Sequence, residues 1–146
     1  MKFYLSFILV VSIWAVSCVE KPALDSKALK ILSDTAGYTT LAWQDSVVQF
    51  GNAPMGEMVQ IKFHFRNTGT HPLYLANVKA GCGCTVPDYT KGAIPPGGEG
   101  DVTGAFDTKL AHVGEVRKAI FVTANTRYKT EHTLIFTGRI TESGSK

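Results

Sequence analysis

The residue types and spacing best suited to chemistry are Cys82 and Cys84, held in Gly81-Cys82-Gly83-Cys84-Thr85. Gly81 and Gly83 allow a tight backbone turn, so the two sulfurs can approach each other. Three states are open to them. The first is a Cys82–Cys84 disulfide. A ring closed over one intervening residue is strained, and strained, exposed disulfides are the more easily reduced ones. The same bond could also be a simple loop clip. The second is a pair of thiolates on a soft metal such as Cu(I) or zinc. Two ligands are too few for a closed zinc site, so His64, His71 or His112, or more weakly Met55 or Met58, would have to complete it. The third is two thiols packed as small apolar side chains.

No other constellation competes. The four histidines show no ligand spacing. His64 falls on the wet face of an expected strand, His71 precedes Pro72 in a turn, His112 lies in a loop and His132 opens a strand. Ser33, Ser46 and the carboxylates Asp45, Glu57, Asp88, Glu99, Asp101, Asp107 and Glu115 offer no acid–base pair at a defensible spacing. His-Glu-x-x-His, a phosphate loop and a Gly-x-Ser-x-Gly elbow are all missing. Gly51, Gly69 and Gly97 read as turn glycines, with Gly69 supplying positive φ. The expectation is a non-enzymatic protein with no cofactor and no identified small-molecule substrate.

The third cysteine sits elsewhere. The chain opens with Lys2 and an apolar run from Phe3 to Val16, followed by Ser17-Cys18. A charged start, an apolar centre and small residues before a cut are the parts of a secretory signal. Ala15-Val16-Ser17-Cys18 resembles the lipobox of bacterial lipoproteins, with alanine where leucine is usual. That resemblance implies diacylglycerol on the Cys18 sulfur, cleavage before it and acylation of the new amino group. Several acyl chains anchor far more firmly than one. The expected location is the cell envelope, lipid-anchored at the outer membrane or the periplasmic face. There Cys82 and Cys84 meet an oxidising compartment.

Removing residues 1–17 from 146 leaves 129, the size of one domain with a tether and enough for a core without disulfide staples. Of 15 basic residues only Lys2 is lost, so about two net positive charges remain against 12 acidic residues. The charges are scattered, which gives no case for nucleic acid. The expected organisation is a signal peptide over 1–17, a tether over 18–37, a domain over 38–142 and a tail over 143–146. Within the tether, about two turns of helix are expected between Asp25 and Asp34, capped by Asp25 or Ser26.

From Tyr38 onward the texture is that of strands. Leu41–Trp43 and Val47–Phe50 flank a turn at Asp45-Ser46. Val59, Ile61, Phe63 and Phe65 alternate with Gln60, Lys62, His64 and Arg66, a strand with one buried face. Asn67 to Thr70 ends it. Pro72–Val78 is another strand, with a bulge near Ala76-Asn77 where the spacing slips. Residues 92–100 form a turn that no central strand could tolerate. Strands follow around Val102–Phe106, Val116–Ala124 and Thr133–Ile140. Most aromatics, including Trp43, Phe50, Phe106, Phe121 and Phe136, fit core or sheet positions, while Tyr74, Tyr89 and Tyr128 fall in or near loops as a potential binding rim. About seven short strands without a helix predict an all-β, immunoglobulin-like sandwich, with a small barrel as the alternative.

The order Phe50-Gly51, Gly56-Glu57, Phe63 to Gly69, Pro72-Leu73, Gly81 to Thr85, Pro95-Pro96-Gly97, Phe106-Asp107-Thr108 and Gly138 resembles the bacterial domain of unknown function 1573, from about Trp43 to Ile140. Gly81 departs from the serine that many members carry. The resemblance implies an immunoglobulin-like fold related to cilia-associated and sperm-protein-like modules, in secreted or lipid-anchored proteins, and implies no known activity. The reading is a lipid-anchored interaction or structural domain that meets an envelope protein through loops around Cys82–Tyr89 and Pro95–Gly98, with Tyr89, Pro95 and Pro96 as surface candidates. The alternative is thiol-redox or soft-metal handling by Cys82 and Cys84. Intact mass spectrometry of the periplasmic chain beginning at Val19 should give a mass about 2 Da below the dithiol value, with no bound metal. A copper or zinc ion lost when both cysteines are replaced would instead favour metal handling.

Overall fold

The structure is a computed structural model that describes residues 26–143. The expected signal segment, Cys18, the first part of the tether and positions 144–146 lie outside the described residues. Helix α1 spans Ser26–Ser33, within the range read from the sequence. A single 3-10 turn follows at Thr35–Gly37, where the Asp34 carboxylate accepts from the Gly37 N–H. The Tyr38 hydroxyl donates to the Leu32 carbonyl at 2.7 Å, and Ala28 is buried. So short a helix is marginal alone; these contacts hold it against the domain.

Eight strands follow: β1 (Leu41–Trp43), β2 (Val47–Pro54), β3 (Met58–Asn67), β4 (Leu75–Ala80), β5 (Thr85–Tyr89), β6 (Glu99–Asp107), β7 (Gly114–Ala124) and β8 (Glu131–Thr141). They form two four-stranded sheets, ordered β1-β3-β6-β5 and β2-β8-β7-β4. All pairs are antiparallel except β2 with β8. The chain changes sheets between β1 and β2, across residues 44–46. This is an immunoglobulin-like β-sandwich, and α1 lies beside edge strand β4.

The alternation in β3 is real and one residue longer than expected. Ile61, Phe63 and Phe65 point into the core and Asn67 continues the buried set. Phe50, Phe106 and Phe136 meet between the sheets with ring centroids 5.4–6.3 Å apart. Burying each such ring contributes roughly 1.5–3 kcal/mol. The β4 bulge falls between Leu75 and Asn77, where the sequence spacing slips.

Several expectations are corrected. Thr85–Tyr89 is a strand, because Pro87 is tolerated on an edge. Glu99 and Gly100 belong to central strand β6, so the turn ends at Gly98. Gly100 fits there because a Cβ would lie 2.5 Å from the Phe65 ring. Gly51 sits at a bulge inside β2 rather than in a turn. Gly69 is not among the positive-φ glycines; its role is close approach, since a Cβ would lie 2.2 Å from the Thr39 hydroxyl. Phe121 lies in a sheet but is 48% exposed.

Two buried asparagines organise the end where the tether joins. The Asn67 amide donates to the carbonyls of His71 (2.8 Å) and Ile94 (2.9 Å), and its oxygen accepts from the Thr39 hydroxyl and the Gly69 N–H. The Asn125 amide donates to the carbonyls of Gly37 and Pro72 while its oxygen accepts from the Tyr74 N–H. Asn67→Ala would strand these partners, and urea unfolding should show a loss of about 3 kcal/mol. A loss below about 1 kcal/mol would contradict this account.

His132 lies half-buried against Trp43, ring centroids 6.0 Å apart. Thr126 donates its hydroxyl proton to the Lys129 carbonyl at 2.6 Å, so His132 Nε2–H donates to the Thr126 oxygen at 2.9 Å. Burial, and then the Lys129 charge, push the His132 pKa below its ordinary 6.5. The unfolded chain therefore takes up a proton first as pH falls below about 6.5, and stability is lost through that window down to the folded pKa. Chemical denaturation at pH 7.5 and pH 5.5 should show a smaller loss for His132→Gln than for the unaltered chain. An equal loss in both would remove His132 as the cause.

Candidate functional site

The Cys82-Gly83-Cys84 turn joins edge strand β4 of one sheet to edge strand β5 of the other. It is fixed on both flanks. The Gly81 N–H donates to the Ala119 carbonyl of β7, and the Asp107 N–H of β6 donates to the Cys84 carbonyl, each at 2.9 Å. The two sulfurs lie at bonding distance, 2.00 Å, with Cα atoms 5.3 Å apart. Cys84 is 6% exposed and belongs to the core, whereas Cys82 is only partly buried against it. The Thr85 hydroxyl lies 3.6 Å from Cys82 Sγ and 3.9 Å from Cys84 Sγ. A disulfide here ties residues two positions apart and encloses only Gly83, so it removes little unfolded-state entropy.

Several apolar side chains near this turn are exposed, alongside Glu57, Lys109 and His112. Strand direction and register place the β2–β3 turn, the start of β5, the end of β6 and the loop before β7 at the same end of the sandwich. There Met58 is 52% exposed, Val86 72%, Leu110 64% and Val113 45%. Val86 stands opposite Ala105, and Gln60 stands opposite Ala105 from the other side. Of these, the sequence points to Met58 only as a metal ligand and does not single out Val86, Leu110 or Val113; for Met58 and Val86 the available signal is an apolar residue at a solvent-facing strand position.

The other candidates are dispersed. Pro95 and Pro96 are exposed in the turn before β6, while Cys84 is anchored beside its last residue, Asp107. Nine residues of strand separate them, about 27 Å. Tyr89 ends β5 at the Pro95 side, half-buried rather than in a loop, with the Lys91 ammonium 3.2 Å from its ring centroid. Lys91 also pairs with Asp88 at 3.1 Å. The Tyr89 N–H and then Lys91 hold the Asp88 carboxyl below its ordinary value. Tyr128 is fully exposed with φ 67°, and Tyr74 is half-covered beside α1. A single surface joining Cys82 to Pro95 is therefore not formed.

Of the expected ligand partners, Met55, Met58 and His112 share the disulfide end by strand order, whereas His71 lies near Asn67. His64, on the outer face of β3, pairs with Asp101, which Lys62 also approaches at 3.0 Å. Among the described residues no group of three or more His, Cys, Asp or Glu is poised for a metal. No helix among them is long and apolar enough to cross a membrane.

Comparison with solved structures supports the fold. A protein of unknown function from Porphyromonas gingivalis W83 aligns with TM-score 0.64 and 18% identity, over 72% of this chain and 48% of its own. The chain thus spans about half the length of that protein. The human CEP192 ASH/PapD-like domain 7 aligns with TM-score 0.57 and 14% identity, over 90% of this chain and 99% of its own. The Vibrio cholerae VesB protease aligns with TM-score 0.57 and 17% identity, over 68% of this chain and 31% of its own. At such identities the likeness is one of fold alone. No curated protein matches the sequence. A family model does match, over residues 41–140, which include both cysteines of the turn and all eight strands but for Thr141, and by that match the chain belongs to the family described as protein of unknown function, DUF1573.

Proposed function

We propose that this chain is a lipid-anchored, non-enzymatic interaction domain of the cell envelope that offers its disulfide end to a protein partner. The observation that carries the reading is the exposed apolar set Met58, Val86, Leu110 and Val113 at that end. Clustered exposed apolar side chains on a small domain mark contact sites. An apolar, complementary protein surface is the partner they suit. Among the described residues, ion pairs such as Arg139–Glu115 lie at the surface.

Were Cys18 lipidated, the docked helix would limit how far the domain could stand from the membrane. If the tether were free, 19 residues from Val19 to Gly37 would extend up to about 65 Å. With α1 held against β4, only the seven residues 19–25 remain, about 25 Å at most. The pockets flanking α1 are lined by Tyr74, Leu75 and Ala76 at the start of β4, whereas the disulfide follows the strand's other end. An anchor at Cys18 would then hold the α1 end towards the bilayer.

Two variants of the full chain in the envelope test the proposal. Cys18→Ala should abolish labelling by a fatty-acid probe and move the protein from the membrane to the soluble fraction. A photo-crosslinking residue at Val86 or Leu110 should capture a discrete protein that the same residue at exposed Glu131 does not. Continued membrane retention of Cys18→Ala would end the lipid-anchor reading. Capture at Glu131 equal to that at Val86 would end the docking reading.

A further inference from the structure

We propose that the Cys82–Cys84 bond is a thiol–disulfide exchange site with a fixed polarity, in which an external dithiol attacks Cys82 Sγ and Cys84 Sγ leaves. The partner class is a dithiol–disulfide oxidoreductase. This deepens the proposed function by naming the chemistry of one partner of the disulfide end.

The asymmetry is steric first. Exchange needs a thiolate to reach one sulfur in line with the bond that breaks. Cys84 is 6% exposed and in the core, while Cys82, between exposed Gly81 and Gly83, is the accessible member. The Gly83 side of Cys82 is open, since a Cβ on Gly83 would meet nothing within 4 Å, whereas the Gly81 side faces Ala119 and Phe121 of β7. In the first step the incoming sulfur bonds to Cys82 Sγ and the electron pair of the broken bond departs on Cys84 Sγ. In the second, the dithiol's other thiolate attacks its own sulfur in the mixed disulfide and releases the Cys82 thiolate. The dithiol becomes a disulfide, the protein gains two electrons, and the dithiol's two protons end on Cys82 and Cys84.

A hydrogen-bond donor stands beside both sulfurs, the Thr85 hydroxyl lying 3.6 Å from Cys82 Sγ and 3.9 Å from Cys84 Sγ, so the polarity rests on access and the hydroxyl serves whichever sulfur is anionic. The Thr85 hydroxyl donates toward Cys84 Sγ at 3.9 Å and can strengthen that contact once the sulfur is anionic. Thr85 is a positioning residue that acts through Cys84. Both flanks of the turn are also held independently of the S–S bond, since Gly81 and Cys84 are each tied to a neighbouring strand through the backbone. Exchange therefore does not require the sandwich to open.

A docking edge lies alongside. Phe121, 48% exposed on the outer face of β7, lies so close to Gly81 that a Cβ there would meet its ring at 3.3 Å. An exposed phenyl beside an accessible sulfur gives an apolar contact for a protein reductant that a small thiol would not use.

The test uses the purified full chain and two probes, dithiothreitol and thioredoxin. The native disulfide should be reduced by both without denaturant, with near-ultraviolet circular dichroism retained. Cys84→Ala, which leaves Cys82, should react with a chromogenic disulfide at least about ten times faster than Cys82→Ala, which leaves Cys84 buried. Thr85→Val should slow reduction by dithiothreitol about ten-fold, with Thr85→Ser restoring it. Phe121→Ser should slow thioredoxin and leave dithiothreitol unaffected. Reduction that occurs only in denaturant, or a Cys84 thiol as reactive as that of Cys82, would overturn the proposal. Exchange with these properties but no partner captured at Val86 would remove the docking surface alone, and capture without native reduction would remove the exchange site alone.

Discussion

The end of the sandwich that receives the tether depends on two side-chain amides almost wholly removed from water. Asn67 and Asn125 are 0% and 3% exposed, and each bonds to backbone groups far apart in sequence. A buried amide is tolerable only when its donors and acceptors are met. Asn67 therefore fixes the Thr39 segment, the turn after β3 and the Ile94 carbonyl relative to one another. That carbonyl also accepts from the Leu73 N–H, as the Leu73 carbonyl accepts from Ile94. The apolar core could tolerate small slips of these loops, but the amide geometry cannot.

The opposite end is held differently. Its turns are anchored by backbone bonds to neighbouring strands and by Thr108, fully buried, whose hydroxyl accepts from the Gly56 N–H and lies within bonding distance of the Pro54 and Glu57 carbonyls. Backbone anchoring leaves the side chains free to serve another purpose, and here they are apolar and exposed. Exposed apolar side chains occur at both ends, Leu29 and Tyr128 near the tether and Met58, Val86, Leu110 and Val113 at the end of the accessible sulfur.

The edges of the two sheets are also treated unequally. Edge strand β4 is covered by α1, β5 carries Pro87 and β1 is three residues long, all devices that discourage stray pairing. Strand β2 is longer, and its bulge at Gly51 interrupts the ladder. Helix α1 therefore does two things at once. It shields an edge and it takes up slack between the domain and whatever precedes it.

The β-sandwich itself was legible in the residues. Period-2 alternation in β3, the slipped spacing in β4 and the Pro-Gly turn before β6 are local signals, because each reports the face or the backbone angle of its own segment. The closeness of Cys82 and Cys84 followed from their spacing for the same reason. What the sequence could not supply is which segments become neighbours. The parallel pairing of β2 with β8 places residues near 50 beside residues near 138, where Gly138 makes room for the Phe50 ring. The strand at Thr85–Tyr89 was hidden by Pro87, a residue that only an edge position permits. Asn67 and Asn125 looked like turn residues until long-range carbonyls became their partners. Pro95 and Cys82, drawn together as one surface on paper, were parted by the length of β6. Sequence determined the local conformations and brought the two cysteines within reach of each other; tertiary packing alone decided burial, and with it which sulfur faces water.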